Sequence, residues 1–420
     1  MKKRTYGRLI SLTLLLAIAL TALTSCGYVE GILGKLQKDQ ETTQSSEEIE
    51  MPEEIPYDPE RITEYALNSD SPVLVTGRTV ELAAGIGLDL SAASMRFYTN
   101  RAGEVSLHGV VGGECELYFT VYVDGERICD RVMFPKGEST QVIAKGLSDE
   151  THLIEIVRQT EGQYGTFTAD TLILKGSTLG KKPAERKLYI EFIGDSITCG
   201  SGVLCKYITE EDMMTYLPEQ TGDCLYDIGE GQWREEDVTH SYAYLTARTL
   251  KADCSFISYS AVGLMRSWMN LGFNAQDLYR QGAYLREGGD VYDFSKARKP
   301  DFVVINLGTN DIGLMNGGEG GYTGKITDAE YKQAVKNFIH QIRTSYGDPN
   351  LKIVWAVGMM GPATYSLAQA AIEEMNDENL YTYKFMPAMD GHRDHPCMKQ
   401  GATAAKGFSS FLYREGLTKK

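Results

Sequence analysis

The sequence predicts two folded parts. Residues 61–180 read as an all-β sandwich of the jelly-roll type, and residues 185–420 as an α/β domain of three layers, α/β/α, around a parallel sheet. Three observations carry that expectation. Leu117, Phe119, Val121 and Val123 alternate with Glu116, Tyr118, Thr120 and Tyr122, the period of a strand with one buried face. Phe302-Val303-Val304-Ile305 is an unbroken apolar run, as in strands covered on both faces. Tyr331, Val335, Phe338, Ile339 and Ile342 recur at the spacing of one helical stripe, and strands alternating with helices imply a parallel sheet.

In chain order, Lys2, Lys3, Arg4 and Arg8 precede the apolar stretch Leu9 to Leu23, the pattern of an export signal. That stretch ends in Leu23-Thr24-Ser25-Cys26, which resembles a bacterial lipobox. The expectation is a signal over residues 1–26 with Cys26 lipidated. The chain would then be an exported lipoprotein at the cell surface or outer membrane, touching the membrane through its lipid anchor alone. Residues 27–60 read as a flexible linker, since Gln37 to Pro59 holds few large apolar groups to offset the entropy of ordering. Within the sandwich region, Asp124-Gly125 marks a hairpin before a strand over Arg127 to Met133. Val105-Leu107, Val142-Ile143, Leu153 to Val157 and Leu172 to Leu174 supply further short strands.

After Lys181-Lys182-Pro183 the pattern becomes α/β. Strands are expected at Leu188 to Ile193, Ser255 to Tyr259, Phe302 to Leu307, Lys352 to Val357 and about Tyr381 to Met386. Thr327 with Glu330 forms a capping box for the helix that carries the Tyr331 stripe. The stretch Gly202 to Glu236, rich in Asp, Glu and Gly, reads as an insertion.

Composition narrows the chemistry. A formal charge of −15 over 420 residues leaves no basic stripe for phosphates, which excludes nucleic acid as a partner. Setting Cys26 aside, seven cysteines remain, so they cannot all pair within the chain. Bridges within Cys115/Cys129 or among Cys199, Cys205 and Cys224 stay open. Neither a C-x-x-C pair nor zinc spacing occurs, and no metal or cofactor is expected.

The chemistry-bearing residues are far apart in sequence. Gly194-Asp195-Ser196 ends the first strand of the α/β domain, placing a hydroxyl at the C-terminal edge of the sheet, where open sheets put their ligand crevice. A serine needs a base to take its proton. Of six histidines, His392 and His395 share a Gly-, Asp- and Pro-bearing loop near the C-terminus, whereas His108, His152 and His340 sit where structural roles fit better. Gly263 and Asn310 each follow a strand and could donate to an oxyanion. Together Ser196, Gly263, Asn310 and His395 supply a nucleophile, two donors and a base, the parts of an acyl-transfer site. No G-x-S-x-G elbow is present.

As an ordered set, GDS at Ser196, S-x-x-G ending at Gly263, GTND at Asn310 and His395-Pro396 resemble the four blocks of the SGNH (GDSL-type) hydrolases. The β-rich half in front of them is similar to that of carbohydrate esterase family 2, which joins a β-sandwich to an SGNH domain and removes acetyl groups from xylan and glucomannan. The resemblance implies Ser196 as nucleophile and His395 as base. It further implies the Ser196 and Gly263 N–H groups and the Asn310 side chain as oxyanion donors, with no cofactor. It departs at two positions: His392 stands where D-x-x-H would place Asp, and Ala261 stands where glycine is common. The orienter of His395 is then Asp390, Asp394 or a backbone carbonyl. Trp268, close after Gly263, is a candidate for contact with an acetylated polysaccharide through sugar C–H surface. An SGNH esterase on another acyl ester, or a glycan-binding lipoprotein with a vestigial site, are the competing readings.

Overall fold

The structure is a computed structural model that describes residues 58–101, 103–204, 232–268, 271–281, 291–311, 324–361 and 363–418. The expected signal, Cys26 and nearly all of the linker lie outside these residues, as do positions 205–231 of the expected insertion. Among the described residues, twelve strands precede residue 180: β1 (Ile62–Ala66), β2 (Leu74–Thr76), β3 (Val80–Leu82), β4 (Gly85–Gly87), β5 (Ser94–Asn100), β6 (Glu104–Gly112), β7 (Leu117–Val123), β8 (Glu126–Phe134), β9 (Gly137–Lys145), β10 (Thr151–Arg158), β11 (Thr166–Lys175) and β12 (Thr178–Leu179). They form two antiparallel sheets, ordered β3-β4-β11-β6-β9 with β1 on β11, and β12-β5-β10-β7-β8 with β2 on β5. Leu107, Phe167 and Leu172 of one sheet share a dry core with Phe97, Phe119 and Ile156 of the other, so the sheets pack face to face. The Asp124-Gly125 hairpin is present. Val123 pairs with Glu126, and both turn residues have positive φ, 53° and 88°, as a type I′ turn requires.

Among its described residues, the α/β part has five parallel strands in the order β14 (Asp253–Ser258), β13 (Tyr189–Gly194), β15 (Phe302–Asn306), β16 (Lys352–Val357) and β17 (Leu380–Lys384). Their helices, in chain order, are α1 (Ser196–Cys199), α2 (Tyr242–Thr249), α3 (Ala275–Arg280), α4 (Asp328–Tyr346), α5 (Tyr365–Met375) and α6 (Met398–Arg414). Phe192, Val304 and Val354 point to the face covered by α2 and α6, through Tyr242 and Phe408. Val303, Ile353 and Trp355 point to the face covered by α3, α4 and α5. Three layers result, as the continuous apolar strands require. Thr327 caps α4 in a reciprocal box with Glu330, as expected.

Sandwich and α/β part belong to one compact unit, and Tyr122 and Val157 of the sandwich enter the α2/α6 core. Buried ion pairs cross the same seam: Arg96 to Asp253 at 2.6 Å and Arg78 to Glu191 at 3.5 Å.

Candidate active site

Strand β13 ends at Gly194, and the chain turns at once into α1. Glycine is needed there, because a Cβ would lie 2.0 Å from Thr198 Oγ1. Asp195 caps the helix, its Oδ1 accepting the Ile197 N–H at 3.0 Å. Burial pushes the Asp195 carboxyl up to about 7, with the nearby Asp311 charge adding to the rise. Ser196 is therefore the first helical residue, its hydroxyl at the C-terminal edge of the sheet.

His395 reaches that hydroxyl. Its Nε2 lies 2.7 Å from Ser196 Oγ, and both residues are only 8% exposed. Its Nδ1 lies 2.9 Å from the carbonyl oxygen of Arg393. A carbonyl only accepts, so Nδ1 carries the proton and Nε2 is left to accept from the serine. Of the three orienters left open by the sequence, the backbone carbonyl is the one used. Neither Asp390 nor Asp394 holds the ring; both are exposed, and the Asp390 N–H is bonded to Gln400 Oε1 at 2.9 Å. Arg393 and Asp394 have φ of 55° and 60°, and this left-handed turn aims the Arg393 carbonyl back at the imidazole. The His392 side chain lies outside the described residues.

The loop after β14 runs beside Ser196, because Gly194 pairs with Ser258 and the Tyr259 N–H donates to the Gly194 carbonyl at 3.2 Å. In this structure the Gly263 N–H donates to Ser267 Oγ at 3.3 Å. Glycine stands at 263 because a Cβ would overlap the Arg266 carbonyl at 1.9 Å. The left-handed residue of the loop is Ala261, at φ 66°. Among the described residues, the N–H groups of Ala261 and of Ser196 have no acceptor.

Asn310 is brought to the same place. Its Nδ2 donates to the Val262 carbonyl at 2.9 Å and lies 3.4 Å from Asp195 Oδ2. Next to it, buried Asp311 accepts the N–H groups of Leu264, Met265 and Arg266 at 2.8, 2.9 and 3.1 Å, fixing the far end of the loop. Burial raises the Asp311 carboxyl above the ordinary range. Trp268 is 38% exposed, and its backbone N–H bonds the Ala261 carbonyl at 2.7 Å, so the residue adjoins this loop.

Cys115, Cys199 and Cys254 carry free thiols, so neither of the bridges left open at Cys115 and Cys199 is made; the side chain of Cys129, and Cys205 and Cys224, lie outside the described residues. His108 and His152 bind Asp170 and Asp124 on the sandwich, each at 2.6 Å, in the structural roles expected of them. Two features of the site had no clear sequence signal. The Arg393 carbonyl is a backbone atom, and Glu161 enters from the sandwich to accept the Ser260 N–H at 2.5 Å.

Comparison with known proteins follows the same lines. Residues 192–380 match the GDSL-like Lipase/Acylhydrolase family. The chain is 31% identical over 230 residues to Cellulase/esterase CelE of Acetivibrio thermocellus, covering 53% of this chain and 24% of that protein. It is 28% identical over 164 residues to an acetylxylan esterase / glucomannan deacetylase of Cellvibrio japonicus, covering 38% of this chain and 40% of the relative. The chain thus spans less than half the length of these curated relatives. Among solved structures, a family two carbohydrate esterase from Clostridium thermocellum in complex with cellohexaose aligns with TM-score 0.68 and 25% identity, over 82% of this chain and 99% of that one. An acetyl xylan esterase from the rumen bacterium Butyrivibrio proteoclasticus shares the fold at TM-score 0.72 and 19% identity, over 86% of this chain and all (100%) of that one. Residues 192–380 thus resemble a GDSL-like lipase/acylhydrolase domain, and the chain is similar, in sequence and in fold, to the family two carbohydrate esterases.

Proposed function

We propose that this chain is a serine esterase that removes O-acetyl groups from a polysaccharide of the xylan or glucomannan type. The observation that carries it is the 2.7 Å contact between Ser196 Oγ and His395 Nε2, with the Arg393 carbonyl fixing the tautomer that can accept a proton. Ser196 Oγ attacks the acetyl carbonyl while its proton passes to Nε2. The negative charge that develops on the carbonyl oxygen is met by the N–H groups of Ser196 and Ala261 and by the Asn310 amide, which turns from its present acceptors. Collapse expels the sugar oxygen, which takes the proton from His395. Water then attacks the acetyl-enzyme by the same route and releases acetate.

The substrate class is supported by the likeness to the Cellvibrio acetylxylan esterase / glucomannan deacetylase and the Acetivibrio cellulase/esterase, and by exposed Trp268 next to the Ala261 loop, an aromatic suited to sugar C–H faces. The Leu23-Thr24-Ser25-Cys26 motif supports export and lipid anchoring at Cys26, which would place the enzyme beside a polymer too large to enter a cell.

The test is acetate release from acetylated xylan and glucomannan, alongside 4-nitrophenyl esters of increasing acyl length. Release of acetate with rejection of butyryl and longer esters is expected. Preference for long acyl chains would replace this reading with a lipid esterase. Polysaccharide binding without turnover would replace it with a glycan-binding protein.

A further inference from the structure

Glu161 belongs to the sandwich, yet it lies fully buried against the catalytic loops of the other part. The loop that carries it, after β10, is fixed by one buried guanidinium. Arg158 donates to the carbonyls of Leu88, Thr160, Glu161 and Gly165 at 2.7, 2.8, 3.0 and 2.6 Å. From that base the carboxylate reaches two elements at once. Its Oε2 accepts the Ser260 N–H at 2.5 Å and lies 3.6 Å from the thiol of Cys199, the last residue of α1. Its Oε1 accepts Gln163 Nε2 at 2.6 Å, and its own N–H bonds the buried Glu236 carboxyl. Burial and the neighbouring Glu161 charge hold the Glu236 carboxyl well above the ordinary range.

A buried carboxylate costs several kcal/mol in lost hydration, and an apolar side chain would fill the same place without that cost. What the carboxylate adds is a directed bond to one amide. In the loop from Tyr259 to Arg266 each other N–H is also tied: Tyr259 to Gly194, Val262 to the Tyr259 carbonyl at 3.2 Å, Gly263 to Ser267, and the next three to Asp311. Ala261, left-handed and next to Ser260, is the exception.

We propose that Glu161 is a positioning residue for ester hydrolysis: by holding the Ser260 N–H it sets the direction of the adjoining Ala261 N–H, so that the sandwich domain completes the oxyanion site. This rests on the esterase reading above. The sandwich is then a working part of the active site.

The test compares kcat and KM for 4-nitrophenyl acetate in wild type, E161Q, E161D and E161L, with S196A alongside and a thermal melt of each. Asp is one methylene too short for the Ser260 bond, and Leu removes the acceptor. For both, kcat falls about 10- to 100-fold at unchanged KM, the cost of a reacting group displaced by about 1 Å. Gln keeps an acceptor oxygen at the same reach and recovers kcat to within about threefold of wild type. The proposal is overturned if E161D and E161L keep kcat within about twofold, if E161Q falls as far as E161L, or if KM changes in place of kcat. Should E161L fail to fold, the contrast between E161D and E161Q decides the matter. An active S196A would overturn the serine mechanism itself and the role of Glu161 with it; an inactive S196A beside fully active E161D and E161L overturns only the latter.

Discussion

At the scale of single residues, the site is a hydroxyl and an imidazole whose roles are set by what each nitrogen faces. Because Nδ1 meets a carbonyl, no carboxylate is needed to choose the tautomer, even with His392 in place of Asp. Asn310 holds the only side-chain amide proposed as an oxyanion donor. Asn310→Ala should lower kcat about 10²- to 10³-fold with little change in KM, the range for losing one such donor; an unchanged kcat would remove Asn310 from the mechanism. Asp195 makes a separate prediction about stability. Its carboxyl titrates at about 7 in the fold against 3.8 in a model peptide, so between those values the folded state binds more protons than the unfolded. Stability therefore falls as pH rises through that window and levels off above it. Asp195→Asn keeps an oxygen for the Ile197 N–H but cannot ionise. Its Tm should exceed that of wild type above neutral pH, with the gain shrinking as pH falls toward the lower value. A gain independent of pH would contradict this account. Ser196, Asn310 and His395 were legible as residue types following strands or in a terminal loop. Gly263 was ambiguous, because a glycine after a strand serves equally for a donor and for close packing, and the Arg266 carbonyl at 1.9 Å from its missing Cβ shows the packing role alone.

At the scale of elements, the parallel strands place Ser196, the Ala261 loop and Asn310 at one sheet edge. Gly194 and Ser258 are register partners, so α1 and the Ala261 loop leave the sheet side by side, and Asn310 follows β15, which pairs with β13 on its other side. The strands themselves were readable within a residue or two, since apolar runs such as Phe302 to Ile305 leave no other placement. The conformation of the loop was not readable. Alanine at φ 66° is uncommon, and its need arises from tertiary bonds at Ser260 and Trp268. Ala261→Gly should therefore raise stability by up to about 1 kcal/mol, the steric cost of a left-handed L-residue less the entropy of a freer unfolded chain. Ala261→Val should lower it, since a β-branched residue resists that conformation more strongly. Denaturant titration of the two variants checks both signs. Equal stability of Gly and Val variants would show that the loop does not enforce the left-handed turn.

At the scale of the whole molecule, the sandwich is joined to the α/β part by buried charge as well as by apolar contact. Arg78 enters a pocket formed by Tyr279, Tyr292 and Phe294, its guanidinium carbon 4.6, 4.3 and 5.0 Å from the three ring centroids. It donates to the Tyr279 carbonyl at 2.6 Å and faces Glu191 on β13. Removing one partner of such a pair leaves the other charge buried, so Arg78→Ala should cost about 3–5 kcal/mol, measured by denaturant unfolding. A loss below about 1 kcal/mol, the value of an exposed pair, would show the seam to be loose. None of this seam was visible in the sequence, because an arginine in a β-rich stretch gives no sign that its partner is a glutamate in the first strand of another sheet. The division into a β-rich and an α/β part was visible, since it depends only on the change of apolar period.

The most direct test of the account is a rapid-quench experiment with an acetyl ester, followed by mass spectrometry of the peptide that contains Ser196. The account predicts one acetyl group on Ser196 in wild type during turnover, and neither that adduct nor acetate release above background in Ser196→Ala. Sustained acetate release by Ser196→Ala, or an acetyl group on another residue during turnover, would contradict it.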